Sequence, residues 1–243
     1  MNANYRILGW GICVVLVCSI AFAQMKEEGD PNRWLTQAQE QKLIDSVPPP
    51  PAPESAEDQA DRAQVMHIQK TRTDEMIREA TRDKHFSYLL FQSVYGNDLT
   101  PENSPKFYQL LKNVTATTGF VNETAKNKYK RPRPYQGHPG VVEALFPVNG
   151  SGYPSGHAMG SFTLATVLSA VFPDKKQALF DRAAQIAQSR VNAGVHYPSD
   201  IKEGGILGQA TGEAILATPA FQSDLAAVHA ELKNLPPVHP PAN

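Results

Sequence analysis

The sequence predicts an all-α protein, a compact helical bundle. Three observations carry that expectation. Apolar residues recur at three- and four-residue spacing through most of residues 55–235, strict alternation is scarce, and Pro, Gly and capping residues cut the apolar stretches at helix-like intervals. The chain has 243 residues, 41% hydrophobic and 8% aromatic, enough for one ordinary domain with a sizeable core.

Taken in order, the N-terminus reads as a targeting segment. Arg6 is the only charge before an apolar run from Ile7 to Ala23, and Ala21-Phe22-Ala23 forms an A-x-A site before Gln24. That order is a cleaved secretory signal peptide, residues 1–23, and implies a periplasmic protein. An uncleaved anchor is the competing reading, and Val17 before Cys18 speaks against a lipoprotein. Both cysteines, Cys13 and Cys18, fall inside this peptide, so the mature chain would have no disulfide, thiol nucleophile or cysteine metal site. Residues 24–54 form an N-terminal arm, with a short helix expected over 35–44 and the stiff Pro48-Pro49-Pro50-Pro51-Ala52-Pro53 segment laid over the surface.

The domain proper is expected over residues 55–235. Residues 55–84 read as helix; a second is expected over residues 105–114, with Phe107, Leu110 and Leu111 on one face and the option of running on past Val121. Residues 129–154 are rich in Pro and Gly and read as loop. Residues 156–172 form a strongly apolar helix stopped by Pro173, and residues 174–192 an amphipathic one with Asp174 as N-cap. Residues 201–217 are rich in small residues and suit close helix packing; residues 221–232 close the domain before a Pro-rich tail, residues 236–243.

Charge narrows the function. Lys and Arg total 23 against 24 Asp and Glu, so no net charge draws the chain to nucleic acid or an anionic membrane. No stretch after residue 23 has the length of a membrane span. Any anion site must be a local cluster of cations.

Three segments offer one. Lys126 to Pro134 holds five cations in eight positions, a pattern more often a solvated surface, but its prolines restrict the backbone around Arg131 and Arg133. Arg133 offers a planar fork to phosphate and Lys126 a point charge. Gly150-Ser151-Gly152-Tyr153-Pro154-Ser155-Gly156-His157 runs into a helix start, where free N–H groups and the dipole favour an anion. Ser155 has an ordinary role there as N-cap, and His157 could be a capping or core histidine. Finally, His196 and Asp200 stand four apart at a turn after Ser189-Arg190, so a carboxylate can fix the ring's tautomer. A surface ion pair or a metal site are the alternatives for this pair, and the nearby cations would repel a divalent ion.

Together these residues are similar to the three-part motif of the phosphatidic-acid-phosphatase type 2 and haloperoxidase superfamily: K-x6-R-P, P-S-G-H and S-R-x5-H-x3-D. The stretch Gly150-Ser151-Gly152-Tyr153-Pro154-Ser155-Gly156-His157-Ala158 resembles the mark of its bacterial class A non-specific acid phosphatases, and the tetraproline after a short arm resembles them too. The resemblance runs from about residue 40 to 220. It implies His196 as nucleophile, Asp200 orienting it, His157 as general acid and base, and Lys126, Arg133, Ser155, Gly156 and Arg190 holding phosphate, with no metal or other cofactor. The implied substrates are small phosphomonoesters such as nucleotides, sugar phosphates or aryl phosphates, with phosphotransfer to alcohols as an added activity. Family members are often homo-oligomers. A haloperoxidase, a membrane lipid phosphatase and a non-catalytic phosphate-binding protein are the rival readings.

Overall fold

A computed structural model describes residues 34–235, and the expected signal peptide and Pro-rich tail lie outside them. Every regular element among the described residues is helical. They are α1 (Gln37–Ser46), α2 (Ala56–Thr71), α3 (Asp74–Arg82), a 3₁₀ turn (Tyr88–Phe91) continuing into the one-turn α4 (Gln92–Tyr95), α5 (Pro105–Tyr129), the one-turn α6 (Pro134–Gly137), α7 (Gly156–Val171), α8 (Lys176–Asn192), α9 (Pro198–Leu216) and α10 (Pro219–Lys233). None of these is long and apolar enough to cross a membrane.

The organising element is α7. Its side chains are apolar on nearly every face, from Ala158 and Met159 through Leu164 and Leu168 to Val171, so it is buried on several sides rather than one. Helices α9, α8 and α5 pack around it. The closest approach is between α7 and α9, along glycines at four-residue spacing on α9. A Cβ on Gly204 would stand 2.5 Å from the Ser155 carbonyl oxygen, one on Gly208 2.2 Å from that of Met159, and one on Gly212 2.6 Å from the Thr166 side chain. The small-residue character of this segment therefore sets the distance between two helix starts, at His157 and at Asp200.

Local departures from the sequence expectation have local causes. The expected helix over 55–84 is two helices, because Thr73 is extended and its hydroxyl accepts from the Met76 N–H as a new N-cap. The helix expected over residues 105–114 runs on to Tyr129 as α5, where Lys130 turns into the left-handed region at φ 49°, so Lys126 sits in the last helical turn. Asp174 is not an N-cap. It lies in a 3₁₀ turn (Pro173–Lys175) ahead of α8, whose N-cap residue Lys175 makes no side-chain cap. The α5 start is instead capped from afar, with Glu231 accepting the N–H groups of Lys106 and Phe107 at 3.0 Å each.

The arm packs against the domain. Trp34 donates to Asp224 at 2.9 Å and meets the Phe221 ring edge-on. Ile44 and Val47 are buried with Val121, Ala125 and Tyr153. The Tyr153 hydroxyl donates to the Pro48 carbonyl at 2.8 Å, and the Tyr129 hydroxyl donates to that of Val47.

The α7–α9 contact makes a stability prediction. Gly208→Ala should destabilise by about 2 kcal/mol or more, because the methyl meets backbone that has little freedom to move. Gly119→Ala, in the interior of α5 with nothing within 4 Å of the added carbon, should stabilise by up to about 1 kcal/mol. Urea unfolding of both variants checks the contrast.

Candidate active site

A cleft of about 780 Å³ opens where the ends of α5 and α8 meet the starts of α7 and α9. Lys126, Arg133, Gly156, His157, Arg190 and His196 all line it, joined by Phe86, Asn122 and residues 148–151. The three separate sequence segments thus converge on one cavity. Ser155 and Asp200 stand behind its wall. Ser155 is fully buried, its hydroxyl accepting the Ala158 N–H at 3.4 Å as N-cap and its own N–H donating to the Asp200 carbonyl at 3.0 Å. Ser155 therefore builds the helix start, and Gly156 and His157 present it to the cleft.

Each cation is held by neutral oxygen. Lys126 donates to the Ser151 carbonyl at 2.6 Å. Arg133 donates from Nε to Gly150, from Nη1 to Val195, and from Nη2 to Asn149 and Ser151, all backbone carbonyls at 2.9 to 3.3 Å. Gly150, at φ 75°, makes the turn that offers these oxygens. Arg190 is completely buried, with Nη1 donating to the Asp83 carbonyl at 3.1 Å and the guanidinium 5.3 Å from the Phe146 ring centre. None of the three pairs with a carboxylate among the described residues. Two further atoms of Arg190, Nε and Nη2, are buried without a hydrogen-bond partner there, as is Nε2 of His157. An orphaned buried donor costs about 1–3 kcal/mol.

His196 is buried, and its tautomer follows from its neighbours. Arg133 Nη1, which can only donate, lies 2.9 Å from Nε2, so Nε2 carries the lone pair. The proton is then on Nδ1, which donates to Asp200 Oδ2 at 3.2 Å. That oxygen also accepts the Tyr197 N–H at 2.9 Å, while Oδ1 accepts from Arg131 Nη1 at 2.7 Å. Burial pushes the Asp200 carboxyl up to about 7 against the pull of Arg131 and the Tyr197 N–H. Arg131, the Tyr197 N–H and His196 Nδ1–H all donate to this carboxylate, and these contacts favour its ionised form against burial.

Burial and then the cation cluster depress both histidines. Burial, then Arg190, drives His157 down to about 3; burial, then Arg133, Lys126 and Arg190, drives His196 well below the usual range. The cations depress one another as well: burial and Arg133 bring Lys126 down to about 8 and Arg190 to about 10. Every one of these shifts would be relieved by an anion in the cleft.

Sequence reasoning left three groups out. Phe86 meets the His157 ring edge-on at 5.6 Å and leaves no space for a Cβ at Gly160. Asn122, one turn before Lys126 on α5, lies over Gly156, where a Cβ would meet its amide at 2.9 Å. Asp58 and Asp61 on α2 hold Arg131. Neither aromatic nor amide stands in a motif, and the two aspartates read as exposed helix charge; only the Pro-fixed Arg131 carried a signal.

The geometry has relatives. Residues 108–223 match the family model of the PAP2 superfamily. The non-specific acid phosphatase of Salmonella typhimurium is 31% identical over 77% of this chain and 79% of its own, and that of Providencia stuartii 29% identical over 76% and 79%. Among solved structures, a transmembrane PAP2-type phosphatidylglycerolphosphate phosphatase of Bacillus subtilis superposes with a TM-score of 0.53 at 20% identity, covering 76% of this chain and 92% of that one. A bacterial vanadium-dependent iodoperoxidase gives 0.50 at 18%, covering 71% and 52%. These two show the fold; the sequence relatives and the shared motifs show that the chain belongs to the PAP2 superfamily, among its bacterial class A non-specific acid phosphatases.

Proposed function

We propose that this acid phosphatase hydrolyses small phosphomonoesters through a phosphohistidine at His196, without a metal, and works outside the cytoplasm. One observation carries the mechanism. Three cations without carboxylate partners, two orphaned donors of Arg190 and a lone pair on His196 Nε2 all bound one cleft. A bound phosphoryl group supplies what each of them lacks.

In the first step Nε2 of His196 attacks phosphorus and the phosphorus–oxygen bond to the leaving alcohol breaks. The Arg133 hydrogen bond to Nε2 passes to a phosphoryl oxygen as this happens. His157 gives its proton to the leaving oxygen, and Asp200 stabilises the positive ring through Nδ1–H. In the second step water attacks phosphorus, His157 takes its proton, and the nitrogen–phosphorus bond breaks. An alcohol in place of water gives phosphotransfer. Lys126, Arg133 and Arg190 spread the charge of the phosphoryl oxygens, the part a metal plays elsewhere. The roomy cleft, with cations at its floor and Phe86 and Val148 in its wall, suits nucleotide, sugar and aryl monoesters, and the A-x-A ending at Ala23 supports export to the periplasm.

His196→Ala should lower p-nitrophenyl phosphate turnover by at least about 10³-fold and abolish a trapped phosphoenzyme. Full activity of the wild-type enzyme in a chelator is expected, and loss there would overturn the metal-free mechanism. Vanadate should inhibit turnover without conferring halide oxidation by peroxide.

The histidines also tie stability to pH. Because their folded affinity for protons is depressed, the unfolded chain takes up two protons on these rings below about pH 6.5; the raised Asp200 carboxyl offsets one of them down to about pH 4, so the ligand-free enzyme should still lose stability as pH falls from about 6.5 toward 3. Phosphate adds negative charge beside both rings and should raise their proton affinity. Thermal unfolding should therefore show a larger phosphate-induced rise in Tm at pH 5 than at pH 8, and the His157 ring signal should titrate at higher pH with phosphate bound. Activity should peak on the acidic side of neutrality.

A further inference from the structure

Arg131 and Arg133 stand two residues apart in one proline-fixed turn, yet they keep different company. Arg133 meets carbonyls and His196. Arg131 meets three carboxylates. Its Nη1 donates to Asp200 Oδ1 at 2.7 Å and to Ser199 Oγ at 2.8 Å; its Nη2 donates to Asp58 Oδ1 at 3.1 Å and Asp61 Oδ2 at 3.0 Å. The guanidinium also lies 4.1 Å from the Tyr197 ring centre. All four Nη hydrogens have acceptors, so only Nε–H is left for any substrate.

Asp61 does more than neutralise this arginine. Its Oδ1 accepts the Ser199 N–H at 3.0 Å, and its Oδ2 accepts the Ser199 hydroxyl. A side chain of α2 thus caps the first turn of α9, the turn that carries Asp200. Arg131, Asp61 and Asp200 are all buried, with side-chain exposures of 7%, 5% and 0%. Removing any one leaves another's charge buried with fewer partners, and such networks hold one geometry or fail.

The consequence falls on His196. A carboxylate that met only the ring and the Tyr197 N–H, both on Oδ2, could rotate about its Cβ–Cγ bond. Arg131 on Oδ1 prevents that rotation. Were Arg131 not shared with Asp58 and Asp61, it would draw the Asp200 charge toward itself and away from the ring. Three carboxylates around one guanidinium leave the cluster negative beside a nitrogen that must become positive as phosphorus is attacked.

We propose that Arg131, clamped by Asp58 and Asp61, is a positioning residue for the nucleophile: it fixes one oxygen of Asp200 so that the other stays aimed at Nδ1 of His196. The inference rests on the reading of His196 as nucleophile. Arg131 stands one contact behind the carboxylate that orients the ring, and outer partners of this kind around metal-bound histidines typically change activity by about 10–100-fold.

The test compares Arg131→Gln and His196→Ala with wild-type enzyme on p-nitrophenyl phosphate. Arg131→Gln should lose about 10–100-fold in kcat with KM and vanadate inhibition within about threefold, and rapid quench should show phosphoenzyme forming more slowly by the same factor. Arg131→Lys should recover part of the loss, since an ammonium can still donate to Asp200. Unchanged kcat in Arg131→Gln, with His196→Ala inactive, overturns the positioning role and leaves the nucleophile standing. A phosphoenzyme in His196→Ala overturns the underlying reading instead. A kcat loss matched by equal loss of vanadate binding would make Arg131 part of the phosphate cradle, also against the proposal. Should Arg131→Gln fail to fold, Asp61→Asn keeps an acceptor for the Ser199 N–H while removing the charge; it should show the same kcat-only loss, and unchanged kcat there would overturn the inference.

Discussion

Everything in this structure answers to one constraint: three cationic side chains must share a buried cleft without a carboxylate between them. Lys126, Arg133 and Arg190 repel one another, and burial raises the cost of each charge. Ion pairs would remove the strain, but a cation already neutralised has little charge left for an anion in the cleft. The fold's answer is the backbone carbonyl. Oxygens of residues 149–151, Val195 and Asp83 carry partial charge, enough to hold the guanidinium and ammonium groups in place and too little to cancel them.

Supplying those carbonyls requires loops fixed to better than an ångström, and helix packing fixes them. The glycines of α9 let its axis approach α7, which locks the His157 turn to the Asp200 turn; the Ser155 N–H to Asp200 carbonyl bond at 3.0 Å closes that junction. The N-terminal arm braces the loop from the other side through Tyr153 and Tyr129. Asp83 ties the far wall down, its carboxylate taking Arg182 while its carbonyl takes Arg190. These elements determine where the charges stand.

This division explains what could be read in the sequence. Helix α7 was legible because its apolar run and Ser155 cap are local signals, and the α9 packing because glycine and alanine advertise close contact. The motif residues were legible because two histidines, an aspartate and three cations at fixed spacing have few other uses together. Asp58 and Asp61 were not: at three-residue spacing on a polar helix they look like solvent-facing charge, and only the 70 residues of chain closed between Asp61 and Arg131 bury the one and partly cover the other. The Thr73 break was also hidden, since a threonine between charged residues reads equally as helix interior. Ser155 shows the converse. Its capping role was readable from its place before the apolar run, and the hydroxyl indeed accepts the Ala158 N–H, which leaves its own O–H proton free to donate.

The R-P-R-P turn gathers these points into one piece of chain. Both arginines are buried, both are held by prolines, and nothing in their type distinguishes them. What separates them is the partner each meets: carbonyls for Arg133, carboxylates for Arg131. A guanidinium among carbonyls keeps its charge available and makes an anion site. The same group among carboxylates spends its charge and becomes a clamp. His196 lies between the two, with Nε2 facing the available charge and Nδ1 facing the carboxylate that the clamp holds. One ring nitrogen thereby keeps its lone pair toward the cations of the cleft and the other is supplied with negative charge, a polarity that neither histidine nor aspartate could set without the two arginines.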